Sequence, residues 1–397
     1  MRLNPLSVLA ASQRAWRALR APNPSMAVLA AVLMAVGACA DAPAADEGAR
    51  GAAASEGVRI SGDASAFQVD TDWPRLLPND WIWGPVTGLF VDARDHVWVV
   101  HLPEDLIPQE IGAVQDPPIA ECCVPAPSVL EFDPEGNVVQ AWGVHGEEWP
   151  WGLHGLFVDH NDFVWIVSRD QHHVLKYNRD GELLMTIGEV DVPGHSNDPD
   201  RFRSPSDIWV DPGANEVFIA DGYGNRRIVV FDGETGEYRR HWGAYGEPPD
   251  DDYEFGPRGA DHPPARQFGT VHGLEGSRDG LLYVADRRNN RIQVFQQDGT
   301  FVMERLVAPE TQASGTAFDL ALSPDEGQEF LYFADGTNHK VRIFRRDTLE
   351  ELGEFGGGGR LPGQFIRPHN IAVDSRGNVY VSEAAWSRRV QRFTPGG

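Results

Sequence analysis

The chain has 397 residues, of which 41% are hydrophobic, enough for one large domain or two ordinary ones with a sizeable core. Aspartate and glutamate outnumber lysine and arginine 59 to 34, a formal net charge of -25. That balance excludes DNA and RNA as partners, because phosphate binding needs clustered Lys and Arg, and it suits a soluble surface that repels polyanions.

Residues 1–38 differ from the rest. Arg2, Arg14, Arg17 and Arg20 precede an apolar run from Met26 to Ala38, with no acid before Asp41. A basic segment followed by a short apolar one reads as a signal peptide and not as a membrane span. The run ends Val36-Gly37-Ala38-Cys39, which resembles the lipobox of bacterial lipoproteins. The resemblance implies lipidation at Cys39 and an exported, membrane-anchored lipoprotein of the bacterial cell envelope, touching the membrane only through that N-terminal anchor. Residues 39–57 are rich in Ala, Gly and acids, have little to bury and read as a flexible tether. Residues 58–397 have globular composition.

Within that segment one pattern recurs six times. Gly or Asp and then Leu or Ile open an alternating strand, a polar turn follows, and a second strand ends near Ala-Asp. The first copy runs from Gly88-Leu89-Phe90-Val91-Asp92 to Val97-Trp98-Val99. The fourth runs from Gly273-Leu274 to Leu282-Tyr283-Val284-Ala285-Asp286, and the sixth from Asn370-Ile371 to Val379-Tyr380-Val381. A third strand such as Arg291-Ile292-Gln293-Val294-Phe295 and a fourth after a short turn complete each unit. Four short antiparallel strands per unit, six units and no helical period predict an all-β, six-bladed β-propeller. The segment Val58–Trp83 is expected to supply the strand that closes the ring against the sixth blade. Cys122 and Cys123 are adjacent, and a vicinal disulfide, a free pair or a packing role in their loop all remain open.

The residue just before each Gly/Asp-Leu/Ile pair is, in order, Thr87, His154, Ser206, His272, Phe318 and His369. All six occupy one structural position, the start of an innermost strand at the channel mouth. The histidines fall on blades two, four and six, about 120° apart, so three imidazoles are expected to converge on the axis. Three nitrogen ligands with one open position suit zinc, and an open position marks a catalytic site. The loops after the second strands return to the same mouth and are expected to surround the metal. The acidic run Asp250-Asp251-Asp252 lies on one of the long inter-blade segments of that face, where it either favours a cationic or neutral ligand or is simply solvated.

The repeats resemble the NHL repeat family. A sharper resemblance rests on Asp221-Gly222-Tyr223-Gly224-Asn225-Arg226-Arg227, Ala285-Asp286-Arg287-Arg288-Asn289-Asn290-Arg291, His154-Gly155-Leu156 and Pro368-His369-Asn370-Ile371, which look like peptidyl-α-hydroxyglycine α-amidating lyase. That family is a six-bladed propeller with zinc held by three histidines, and it cleaves a peptidyl-hydroxyglycine into a peptide amide and glyoxylate. The resemblance implies that His154, His272 and His369 are the zinc ligands. It implies that Tyr223 is the general base on the substrate hydroxyl and that Arg287 is a substrate-facing arginine able to bind a carboxylate. Two positions depart from the pattern. Leu102 follows His101 where the family has an arginine, so a catalytic cation is missing unless another, such as Arg169 or Arg287, replaces it. Asn370 stands where the family has an aspartate that helps bind a structural calcium, which weakens the case for calcium. The copper monooxygenase half of the amidating system is not part of the resemblance. The reading is a zinc-dependent lyase with a small-molecule or peptide substrate. The alternative is a non-catalytic propeller that presents the histidine-lined mouth to a ligand or partner protein.

Overall fold

Alternation of β-branched and aromatic residues with polar ones builds six four-stranded antiparallel sheets, seen in a computed structural model that describes residues 67–144, 146 and 149–396. The signal peptide, Cys39 and the tether lie outside the described residues. Blade 1 comprises Val86–Val91, Val97–His101, Val129–Phe132 and Val138–Trp142. The innermost strands of the next five blades are Leu153–Val158, Asp207–Asp211, Val271–Gly276, Ala317–Leu322 and Pro368–Val373. Each of these six strands touches the next, and the sixth touches the first, so the ring is closed. Closure comes from Phe67–Asp70, which pairs antiparallel with the C-terminal strand Arg389–Pro395, Phe67 opposite Pro395 and Asp70 opposite Arg392. The closing strand thus falls inside the segment expected to supply it.

The core lies between the blades. Fully buried Trp98, Trp165, Phe218, Tyr283 and Phe333 come from the second strands and pack against neighbouring sheets. In blades 2 and 4 the innermost strand lies too close to the next blade for a side chain at the position after the mouth residue. A Cβ on Gly155 would lie 2.5 Å from Asp207 Oδ1 and 2.8 Å from the Ser206 carbonyl oxygen, and one on Gly273 would lie 2.4 Å from Asp319 Oδ1. This explains the Gly-then-Asp order of blades 2 and 3 and of blades 4 and 5, in which a glycine on one blade leaves room for an aspartate on the next. The buried carboxylates then reach across the seam to backbone amides. Leu274 N donates to Asp207 Oδ2 at 2.8 Å and Ile371 N donates to Asp319 Oδ2 at 3.0 Å.

The Ala-Asp ending of the second strand also has a structural cause. In blades 3 to 6 the acid forms an ion pair with an arginine of the third strand: Asp221 with Arg227, Asp286 with Arg291, Asp335 with Arg342 and Glu383 with Arg389. Three of these acids also accept amides from the segment entering the blade, Asp221 from Arg203, Asp286 from Gly269 and Thr270, and Glu383 from Ile366, which ties two loops of the mouth face together. In the blade 1 insertion, Cys122 and Cys123 are bonded to each other, so of the three open possibilities the structure has the vicinal disulfide.

Candidate metal centre

His154, His272 and His369 begin innermost strands and point to the axis, with ring centroids 5.1, 4.9 and 4.8 Å apart, a nearly equilateral triangle. One ligand nitrogen from each lies within 4.8 Å of the others. The backbone plan fixes the rings. The Nδ1–H of His154 donates to the Ser206 carbonyl at 2.5 Å and that of His272 donates to the Phe318 carbonyl at 2.5 Å. In each case the acceptor is the mouth residue of the following blade. His369 departs from this rule, its Nδ1–H donating to Asn370 Oδ1 at 2.8 Å. With Nδ1 protonated, all three Nε2 lone pairs face the axis, the orientation that a carbonyl partner imposes on a metal-binding histidine.

The three rings are buried. Burial, reinforced by the other histidines and nearby arginines, holds His154 and His272 well below the usual histidine range and pushes His369 down to about 3. Neutral imidazoles are what a metal needs. The Tyr223 hydroxyl lies 3.2 Å from His154 Nε2 and 3.0 Å from His272 Nε2. One phenolic proton cannot satisfy two lone pairs, and the third histidine adds another. The donor set therefore fits a cation, and a metal is the group it could hold.

Tyr223 is aimed by its neighbours. A Cβ at Gly222 would come 2.0 Å from the Val271 carbonyl oxygen, so only glycine lets the loop lie against the next blade. Tyr223 N then donates to Ser204 O and Gly224 N to Arg203 O, which fixes the loop on both sides of the tyrosine. Arg287 donates from NH1 to the Tyr223 hydroxyl at 3.0 Å, and its guanidinium lies 4.8 Å from the phenol ring centroid. Arg169 lies 5.4 Å from the same centroid and is held bidentately by Asp170 at 2.7 Å.

A cavity of about 190 Å³ opens over His369, lined among others by Thr87, Leu102, Arg169, Tyr223, Arg287 and Arg367. The sequence-derived candidates Tyr223 and Arg287 and all three histidines are therefore brought together. His101 is not part of the site. Its Nδ1 accepts the Gly84 amide at 3.1 Å and its Nε2–H donates to Pro127 O at 2.9 Å, which leaves Leu102 to face the cavity. The residue after the second strand is Leu102, Arg169, Gly222, Arg287, Gly336 and Ala384 in the six blades. The cation absent from blade 1 thus has a counterpart at the same position of blade 2. Arg367 escaped the sequence reading. Two residues before the mouth position stand Pro85, Gly152, Ser204, Thr270, Thr316 and Arg367, and a charge in only one of six equivalent places was the available signal.

Two other features are structural. Asp92, His96 and Glu131 gather on the opposite face, but Arg179 already pairs with both Asp92 and Glu131. In the acidic run, Asp251 accepts the Ser196 amide at 3.0 Å and its hydroxyl, which pins one mouth loop to another.

Residues 271–295, the first three strands of blade 4, match the NHL repeat model. The chain is 29% identical over 349 residues to peptidyl-glycine alpha-amidating monooxygenase B of Xenopus laevis, covering 83% of this chain and 36% of that protein. It is 30% identical over 277 residues to peptidyl-alpha-hydroxyglycine alpha-amidating lyase 1 of Drosophila melanogaster, covering 64% of this chain and 47% of that one. The chain spans about a third of the length of the monooxygenase-named relatives it matches. A solved streptogramin B lyase shares the fold at 11% identity, with a TM-score of 0.52 over 83% of this chain and 98% of that one. This chain is a six-bladed propeller with an NHL repeat match in blade 4, and its sequence is similar to the amidating lyases.

Proposed function

We propose that this propeller is a zinc-dependent lyase that cleaves an α-hydroxyglycine-type substrate, a small molecule or a peptide, into an amide and glyoxylate. One observation carries the reading: the Tyr223 hydroxyl sits against two inward-facing Nε2 atoms and a guanidinium at once. A metal held by His154, His272 and His369 supplies a Lewis acid for a substrate oxygen. Tyr223, acting as general base through its phenol oxygen, would remove the proton of the substrate hydroxyl. The C–N bond then breaks, the carbinol carbon becomes the aldehyde of glyoxylate, and the nitrogen leaves as the amide after taking up a proton. Arg287 already donates to the phenol oxygen, so negative charge there has a partner before the reaction begins. Leu102, buried and apolar, keeps water from the blade 1 side. The N-terminal sequence extends the proposal to an exported protein anchored through a lipidated Cys39.

The test is glyoxylate release from N-benzoyl-α-hydroxyglycine by zinc-loaded protein. Tyr223→Phe is expected to slow turnover on the order of a hundredfold or more while its metal content stays at the wild-type value. A wild type that releases no glyoxylate overturns the lyase reading.

A further inference from the structure

Arg287 and Arg367 stand out electrostatically. The chain carries a net charge of -25, yet among the described residues neither guanidinium has a carboxylate within ion-pair distance. Arg287 makes its bond to Tyr223, and its buried Nε has no partner among the described residues. Arg367 offers one NH2 bond, to Ser314 Oγ at 3.2 Å. Both lie on the ring of Phe318, at 5.0 and 5.4 Å from its centroid, and that ring in turn packs against His272 and His369. Phe318 breaks the mouth pattern, since the equivalent positions of blades 1 and 3 carry hydroxyls that donate to the neighbouring strand. It offers two cations a shared face in place of a hydrogen bond.

Two like charges on one ring repel each other, and an unpaired buried N–H is unfavourable. Both defects disappear if an anion with two acceptor oxygens sits between the guanidiniums. A planar carboxylate has that shape and can take one N–H pair from each side. Arg367 is also held where it is needed. Its backbone sits in the left-handed region at φ 64°, and its amide donates to His339 Nδ1 at 3.0 Å.

We propose that Arg287 and Arg367 form a clamp for the carboxylate carried by the reacting carbon of the substrate, and that Arg367 is the specificity-determining residue for that group. This deepens the lyase reading and rests on it for the identity of the carbon. With the hydroxyl at Tyr223, the carboxylate one carbon away meets the clamp, and the amide nitrogen is left to face the cavity opening. The second cation of the site then comes from the approach to blade 6 and not from blade 1, where Leu102 stands.

The test is calorimetric binding of N-benzoylglycine and N-benzoylglycinamide, which differ only in the carboxylate, to zinc-loaded protein. Wild type is expected to prefer the acid by about tenfold or more. Arg367→Met is expected to lose about tenfold in affinity for the acid and none for the amide, and Arg367→Lys to restore part of the preference. An unchanged amide affinity and melting temperature show that the variants are folded. The proposal is overturned if the wild type shows no acid preference, absence of binding included, or if Arg367→Met keeps the full preference. Glyoxylate release measured in parallel separates the two readings. Acid preference that depends on Arg367 without turnover keeps the clamp and removes the lyase. Turnover without acid preference does the reverse.

Discussion

Blades 2, 4 and 6 and blades 1, 3 and 5 share one backbone plan, yet their first residues do opposite work. In the even blades the mouth residue is a histidine that reaches the axis. In blades 1 and 3 it is a hydroxyl turned sideways: Thr87 donates to Leu153 O at 2.8 Å and Ser206 to Val271 O at 2.7 Å. Those carbonyls belong to the residues just before His154 and His272. Blades 1 and 3 therefore hold the strands from which blades 2 and 4 present their histidines. The Ser206 and Phe318 carbonyls then receive the histidine Nδ1–H groups. The orientation of the histidine triad thus depends on residues outside it: Thr87, Ser206 and Phe318 for His154 and His272, and Asn370 for His369.

Four experiments break or sharpen that comparison. The largest effect is expected for His272→Ala. Zinc measured on purified protein should fall from about one per chain to a trace, with affinity lost by more than the 10- to 100-fold typical of outer partners. Gly155→Ala places a methyl 2.5 Å from Asp207 Oδ1 and 2.6 Å from its Cα at the seam of blades 2 and 3. It should destabilise the propeller by about 1–3 kcal/mol in urea unfolding. Gly256→Ala, where nothing lies within 4 Å, is the matched control and should be near neutral.

The third experiment concerns the seam carboxylates. Burial pushes Asp319 up to about 7 and, with the charge of Asp319 beside it, raises Asp207 as well. Between about pH 4 and 7 the native state holds a proton that the unfolded chain has released, so wild-type stability should fall as pH rises through that window. Asp319→Asn should flatten the slope by at most about 1.4 kcal/mol per pH unit, read from urea midpoints at a series of pH values. A slope that steepens instead would show that Asp319 is ionised in the native ring. The smallest effect is expected for Ser206→Ala, about 1 kcal/mol in stability with the zinc content retained. Loss of zinc in that variant would make the odd blades ligand-positioning in a stronger sense than the hydrogen bonds imply.

The blade count was legible because each repeat must bury its own faces against two neighbours, and that need recurs in the sequence at a fixed order. The three histidines were legible for the same reason, since a shared repeat position means a shared place at the mouth. Tyr223 and Arg287 required the resemblance, because they sit on loops where the repeat has no fixed residue type. Arg367 was hidden by its setting. It lies in a loop next to a proline, and its meaning depends on its having no carboxylate partner among the described residues, which only the three-dimensional neighbourhood reveals. The roles of Thr87 and Ser206 were hidden too, because a hydroxyl that bridges two strands carries no chemical signature distinct from any other small polar residue.

Blade 6 takes its outer strand from Phe67–Asp70 and its other three from residues 368–395, so contacts such as Gln68 with Thr394 join the two ends of the propeller. During synthesis the first strand must wait, unpaired, for almost the whole domain to be made before its partner exists. The ring is an open arc until the last strand arrives, and His369 joins its two partners only at that stage. Assembly of the histidine triad is therefore tied to the last part of the propeller to be made, and pairing of so distant a strand makes closure slow to reach.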